Sequence, residues 1–305
     1  MSIAYLGPEG TFTEQAARLV AGPGEELVPA TDIGDVIRRV EAGETDRGVV
    51  PIENTLEGAV SATLDALAFD TELLITAELE LPVTLVLAGP REVDLAEVTR
   101  IETHPIPLAG CRAWLSMNLP DAERVPVTST ARAAANAADG DGTTLAIVNP
   151  LAAERYGLTI LARDIAESTN STRFVVMGRE LARPTGWDKT SAVVFIETNR
   201  PGALLQLLEI FAERDLNLTK IESRPTKHEL GDYCFFVDCE GHLADERVGD
   251  ALAAVHRTQR DVKVLGSYRR SGARQPDEAD RIARDDEAYR EAAAWLAGWR
   301  SRITD

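Results

Sequence analysis

The first 180 residues repeat one pattern: a short apolar segment, a polar turn, then a helix opened by a capping residue. Residues 3–6 lead through Gly7-Pro8-Glu9-Gly10 to a helix from Phe12, with Thr11 and Glu14 at capping-box spacing. Residues 48–52 lead through Glu53-Asn54-Thr55 to a helix carrying Leu64, Leu67 and Ala68. Residues 125–127 precede Thr128-Ser129-Thr130 and an alanine-rich helix over 131–138, and residues 145–148 precede Asn149-Pro150, a cap and a first-turn proline. Strands alternating with helices imply an α/β architecture with a largely parallel sheet. In such sheets ligands sit beyond the carboxyl ends of the strands, where helix N-termini point. The polar turns are therefore candidate site residues as a group, although each one also reads as a simple helix cap.

The rest of the chain organises around this pattern. Residues 79–87 read as a strand crossing between two lobes, and the chain returns through 158–161 to a strand over 173–177. That predicts lobe I over about 1–78 and 160–182, and lobe II over about 79–159, with a cleft between them. Arg183-Pro184-Thr185-Gly186 reads as a linker. Strand 191–196, helix 202–214, strands 218–223 and 232–238, helix 245–256 and strand 262–268 make a βαββαβ unit over 188–269. Its helix opens on Pro201 and carries Leu204, Leu205, Leu208 and Phe211 as an apolar stripe. Residues 270–305 read as a polar stretch and a helical tail packed on the body, with Trp295 and Trp299 one turn apart.

Charge excludes some functions. The formal net charge of −18 opposes nucleic-acid binding, and an anionic ligand must be held by a few arginines or by helix N-termini. The absence of an apolar run of roughly 20 residues or of a basic-then-apolar leader predicts a cytoplasmic protein with no membrane partner. Cys111, Cys234 and Cys239 are odd in number and widely spaced, which reads as buried thiols.

Five stretches carry a resemblance. GPEGTFTEQAA (7–17), GVVPIENTLEGAV (48–60), STARAA (129–134) and NSTRF (170–174) resemble, in order, the motifs of the prephenate dehydratases. Residues 201–225, with Gly202-Ala203-Leu204 and Glu222-Ser223-Arg224-Pro225, resemble the phenylalanine-sensing ACT domain that these enzymes share with aromatic amino acid hydroxylases. The hydroxylase reading is set aside because those enzymes hold iron on two histidines and a carboxylate beyond the ACT domain. Here only His228, His242 and His256 follow Thr226, within or beside the regulatory unit. The chain also opens directly on the dehydratase strand, with no stretch before it for a chorismate mutase domain.

The resemblance implies an α/β, two-lobed, periplasmic-binding-protein-like catalytic region with a cleft (1–182), followed by the ACT domain. It implies decarboxylating dehydration of prephenate to phenylpyruvate, with no metal and no redox cofactor. L-phenylalanine is the implied effector, and a homodimer or homotetramer forms through the ACT domains. Arogenate as the substrate, or a non-catalytic amino-acid-binding regulator, are the alternatives. Thr172 is the implied donor to the departing hydroxyl, Arg173 either a counter-charge for a substrate carboxylate or half of a structural ion pair, and Phe174 either a cleft wall or a core residue. Thr11, Thr13, Asn54, Thr55, Thr103, Ser129 and Thr130 are the implied substrate contacts. Glu53 is the odd member, ordering Asn54, pairing Arg173, or acting as an acid if its pKa is raised. Gly202, Ala203, Leu204, Glu222, Ser223, Arg224 and Pro225 are the implied effector site. One segment departs from the family pattern: Thr103-His104-Pro105-Ile106 and Gly110-Cys111 lack two usual glutamines, and Thr55 and Thr103 replace serines. His104 reads as a hydrogen-bonded structural histidine.

Overall fold

The computed structural model describes residues 1–227, 229, 231–272 and 276–303, and the side chains of all of these except 276–285; His228 lies outside them. The chain divides into two compact units, one of Met1–Leu64 with Leu79–Val176, the other of Asp65–Glu78 with Met177–Asp305. No helix among the described residues is long and apolar enough to cross a membrane.

The chain opens with β1 (Ser2–Leu6), α1 (Phe12–Val20), β2 (Glu26–Ala30), α2 (Ile33–Ala42), β3 (Arg47–Asn54), β4 (Gly58–Ala59) and α3 (Ser61–Asp65). After a π-helical turn come β5 (Leu74–Pro82) and β6 (Val86–Gly89), then β7 (Arg100–Thr103), α4 (Pro105–Gly110), α5 (Arg112–Asn118), β8 (Glu123–Pro126), α6 (Thr130–Ala138), β9 (Thr144–Val148), α7 (Pro150–Arg155), β10 (Thr159–Ala162) and β11 (Ser171–Gly178). One sheet has the order β2-β1-β3-β11-β5, with β4 on β3; β1 lies parallel to both β2 and β3. The other has the order β10-β6-β9-β7-β8, with β7 parallel to β8 and β9, and β6 antiparallel to β9 and β10.

These sheets move the expected lobe edges. The segment read as one crossing strand over 79–87 is two strands: β5 stays in the first sheet through Pro82, and β6 belongs to the second. Residues 159–162 also belong to the second sheet, as β10, so the chain re-enters the first sheet only at β11. Pro82 and the turn after it end β5 where the reading had carried the strand on. The first-sheet core includes Ile3, Val36, Val40 and Val49, all fully buried. The second closes one face over Leu87, Ile101, Leu115 and Ile147, and the other over an alanine-lined surface of α6. Small side chains on α6 let its backbone approach β9 closely.

The second unit holds β12 (Asp188–Phe195), α8 (Ala203–Ala212), β13 (Leu218–Pro225), β14 (Tyr233–Glu240), α9 (Glu246–Thr258), β15 (Asp261–Arg269) and α10 (Pro276–Arg300). Its four strands form a sheet of order β13-β14-β12-β15, with every neighbouring pair antiparallel, which is the βαββαβ arrangement expected. Leu207 and Phe211 of α8 and Val248, Leu252 and Val255 of α9 pack on Val194, Phe235 and Val237.

Residues 65–78, placed in lobe I from the sequence, group with this unit instead. The attachment is polar as well as apolar. The Lys189 ammonium pairs with Glu78 at 3.1 Å, and Lys263 donates to the Thr71 carbonyl at 2.5 Å. In α10, Asp286 pairs with buried Arg247 of α9 at 3.4 Å. Beyond it the expected packing of the tail is not found: Trp295 and Trp299 are 66% and 53% exposed and meet each other edge to face.

All three thiols are free and buried, and burial raises each: Cys111 and Cys239 to about 12, Cys234 to about 11. The thiolate is the reactive form. Native protein at pH 8 is therefore expected to leave an aromatic disulfide reagent unreacted over minutes, and to release all three thiols on unfolding. Rapid titration of even one thiol in the native protein would contradict this.

Candidate active site

Three helices of the first unit start at one cavity of about 300 Å³. Thr11 caps α1, His104 precedes α4 and Ser129 caps α6, and all three line it. The caps follow from side chains that can replace a missing helical acceptor. Thr11 accepts from the Glu14 amide at 3.2 Å and donates to the Leu6 carbonyl at 3.2 Å, so its hydroxyl is engaged locally. Ser129 accepts from the Arg132 amide at 3.0 Å, which leaves its proton available. Each capped helix of nine residues, α1 and α6, directs its positive end at the same space. Among the described lining residues there is no lysine or arginine, and Glu57 is the one carboxylate. The attraction for an anion thus comes from aligned peptide N–H groups rather than from formal charge.

The opposite wall is built by the turn after β3 and the start of β11. Asn54 accepts the amides of Leu56 and Glu57 on Oδ1, at 2.9 and 3.3 Å. Those two bonds fix which end of its amide is nitrogen, and that nitrogen donates to Thr172 Oγ1 at 2.9 Å. Because the Thr172 oxygen is already an acceptor there, its own proton is the group left to give. Thr55 ties the same two segments together, donating to Asn170 Oδ1 at 2.9 Å and accepting the Ser171 amide at 3.0 Å.

Strand alternation separates the residues of the Thr172-Arg173-Phe174 motif. Thr172 and Phe174 line the cavity, whereas Arg173, 8% exposed, does not; it pairs with Glu53 at 3.6 Å. Both alternatives raised for that pair, an ion pair for Arg173 and a partner for Glu53, match this geometry. Phe174 is at once a wall of the cavity and a core residue. Thr13, Asn54, Ser129 and Thr130 join Thr11 in the lining. Glu53, Thr55 and Thr103 do not. Thr103 is fully buried and donates to the Ile147 carbonyl at 2.7 Å, so its expected contact with substrate is replaced by a structural one.

Several lining residues were not singled out by the sequence reading. Phe12, Val83 and Pro107 supply an apolar side, and Asn170 and Glu57 polar points; Ile106 and His104, the latter read from the sequence as a structural histidine, line the cavity as well. Phe12 and Asn170 lie inside the quoted motifs, so proximity to them was the available signal. Ile106 and Gly110, where the family pattern has glutamines, line a small adjoining recess with Leu56 and Ala166. Ser168 and Asn170 are the polar residues of that recess, and the rest of its lining is apolar. Behind the cavity, Asn149 donates to the Gly10 carbonyl at 3.0 Å, and buried Glu14 accepts from Arg155 at 3.0 Å. These bonds join the loop before α1, and α1 itself, to the cap and the last residue of α7.

The residues that carry this geometry fall within one region matched by a family model. The prephenate dehydratase model matches residues 3–182, and the ACT domain model matches residues 190–257. The chain belongs to the prephenate dehydratase family. The prephenate dehydratase of Amycolatopsis methanolica is 44% identical over 305 residues, covering 97% of this chain and 96% of that protein. The crystal structure of prephenate dehydratase in complex with L-Phe from Arthrobacter aurescens has a TM-score of 0.86 and 41% identity, covering 99% of this chain and 100% of that one. GqqA, described as a novel type of quorum quenching acylases, has a TM-score of 0.80 and 28% identity, covering 88% of this chain and 98% of that one.

The motifs expected to bind an effector lie at the start of α8 and the end of β13. Gly202 precedes α8 with φ of +85°, a conformation that glycine adopts without strain, and Leu204 and Leu205 are exposed. Glu222-Ser223-Arg224-Pro225 ends β13, an edge strand. Ser223 and Pro225 are exposed on one face, while Glu222 and Arg224 are partly covered on the other. A cavity of about 1020 Å³ in this unit is lined by Phe195, Asn199, Asp232 and Arg260 among others, and by none of the seven expected effector residues.

Proposed function

We propose that this enzyme converts prephenate to phenylpyruvate, carbon dioxide and water, under feedback by L-phenylalanine. The observation that carries the reading is the Asn54–Thr172 hydrogen bond inside a cavity faced by the ends of α1 and α6. The N-terminal amides of those helices receive the two substrate carboxylates. The ring carboxylate leaves as carbon dioxide, its bonding pair enters the ring, and the para C–O bond breaks. The departing oxygen leaves with its electron pair and takes one proton to become water. Thr172 supplies the hydrogen bond, and then the proton, which solvent replaces. A threonine hydroxyl is a weak acid, so its contribution is positioned donation rather than free proton release. Aromatisation drives the step, and no metal or redox group is needed for the electron count. Arg173, held by Glu53, stiffens the strand under Thr172; the helix ends supply the attraction first assigned to its charge.

For the regulatory unit, β13 is an edge strand of the described sheet and exposes Ile221, and α8 exposes Leu204 and Leu205. Two copies pairing along this edge would bury them, and L-phenylalanine would bind where the two copies meet, as an ACT domain implies. The compartment for such biosynthetic chemistry is the cytoplasm.

The test uses the purified full chain. Prephenate is expected to give the absorbance of phenylpyruvate, with arogenate turned over more slowly and L-phenylalanine lowering the rate. Light scattering is expected to report a dimer or tetramer. Phenylalanine formed from arogenate alone would reassign the substrate. Release of acid from an N-acyl amide, with neither of the other substrates consumed, would favour the chemistry named for GqqA.

A further inference from the structure

Arg224 belongs to the motif expected to touch the effector, yet its guanidinium is engaged by a carboxylate of this chain. Nε and Nη2 of Arg224 lie 2.9 and 2.8 Å from Asp65 Oδ1. Lys227 Nζ lies 2.8 Å from Asp65 Oδ2. The pair is largely covered, with side chains 16% and 19% exposed. Burial opposes ionisation of Asp65, but Lys227 and Arg224 together hold its carboxyl below the usual range. Charge-assisted contacts of this kind are directional and strong for their size.

The position of Asp65 matters. It is the last residue of α3, and α3 begins shortly after the turn that holds Asn54. Thr63 and Leu64, just before it, are buried, and Thr63 Oγ1 donates to the Pro51 carbonyl at 2.6 Å. Pro51 lines the active-site cavity and lies three residues before Asn54 in β3. Asp65 is thus connected through two buried residues to the strand that aims Asn54 at Thr172. The two faces of β13 divide the work: Ser223 and Pro225 are open to a ligand or a second copy, and Arg224 is turned to Asp65.

We infer that Asp65 is the coupling residue of this enzyme, carrying the state of the effector-binding strand through Arg224 to the Asn54 turn. Arg224 is then a transmitting group and not a ligand contact. The inference rests on the reading that L-phenylalanine regulates prephenate turnover here.

Asp65→Asn keeps the shape of the side chain and removes its charge. Two quantities are read on the full chain: the dissociation constant for L-phenylalanine by calorimetry, and the ratio of turnover without and with saturating L-phenylalanine. Asp65→Asn is expected to bind L-phenylalanine within about threefold of the parent while its turnover ratio falls roughly fivefold or more, the range of ordinary coupling energies. Arg224→Gln and the double variant are expected to give the same loss as the single one, because all three break one link. Asp65→Glu, which keeps the charge, is expected to retain part of the response and serves if the Asn variant does not fold. An unchanged ratio in Asp65→Asn overturns the inference, as does loss of L-phenylalanine binding in Arg224→Gln. A parent enzyme that L-phenylalanine binds but does not slow overturns the regulatory reading itself, and this inference with it.

Discussion

Thr172→Ala is expected to lower kcat on prephenate about 100- to 1,000-fold, the usual effect of removing one preorganised donor from a charge-developing oxygen. KM is expected to change little, because the proposed reading places the carboxylates of the substrate elsewhere, at the N-termini of α1 and α6. The substitution removes two heavy atoms from a half-buried position and leaves Asn54 without its acceptor, so a small loss of stability accompanies it. Thr172→Ser restores the hydroxyl at the same place and is expected to recover most of the rate. Thr172→Val keeps the shape without the hydroxyl and is expected to resemble the alanine variant. Steady-state kinetics on all three, with thermal melts alongside, separate donation from packing. A valine variant with near-parental kcat would refute the role given to the hydroxyl.

Gly266→Ala is expected to cost more stability than alanine at any other described glycine of the second unit. A Cβ at Gly266 would lie 2.2 Å from the Ile75 carbonyl oxygen and 2.9 Å from the Ile75 nitrogen. Both are backbone atoms, so no rotamer change relieves the contact. Gly266 also lies opposite Ser191 at a bulge between β15 and β12, where the strand is already held in a fixed register. Either β15 shifts and breaks that pairing, or the segment carrying Ile75 lifts off. Overpacking of this severity costs about 3 kcal/mol or more. Calorimetry is expected to show a midpoint lower by roughly 6–12 °C, at the usual few degrees per kcal/mol for a domain of this size. A midpoint within a degree or two of the parent would mean that residues 65–78 do not belong to the regulatory unit.

Much of the active site was legible because it is built from helix starts. Capping is a local property: Thr11 and Ser129 are recognisable from the residues that follow them, and both cap their helices as read. The ordered motifs extended that to Asn54 and Thr172, which hydrogen-bond across 118 positions of sequence. Arg173 shows the limit. In a strand, adjacent side chains leave on opposite faces, so a motif of three cannot place all its members in one cavity. Which face is the cavity depends on the neighbouring strands, and Glu53 is the neighbour that holds Arg173. Thr103 repeats the lesson, since its hydroxyl meets the Ile147 carbonyl of an adjacent strand.

The boundary of the units was decided the same way. Nothing in the hydrophobic period of residues 65–78 distinguishes them from lobe I, and their attachment depends on Arg224, Lys189 and Lys263, more than 100 residues away. The exposed tryptophans of the tail likewise follow a helical spacing that fits packing against a body, although no such packing is found for them.

Element types, caps and the chemistry of the family were thus written in the linear order of residues, because they depend on spacings of one to four positions and on ordered motifs. The pairing of Arg173 with Glu53 and the commitment of Arg224 to Asp65 were settled only in three dimensions. Register between strands distant in sequence selects the partner of each charge, and no local spacing encodes it.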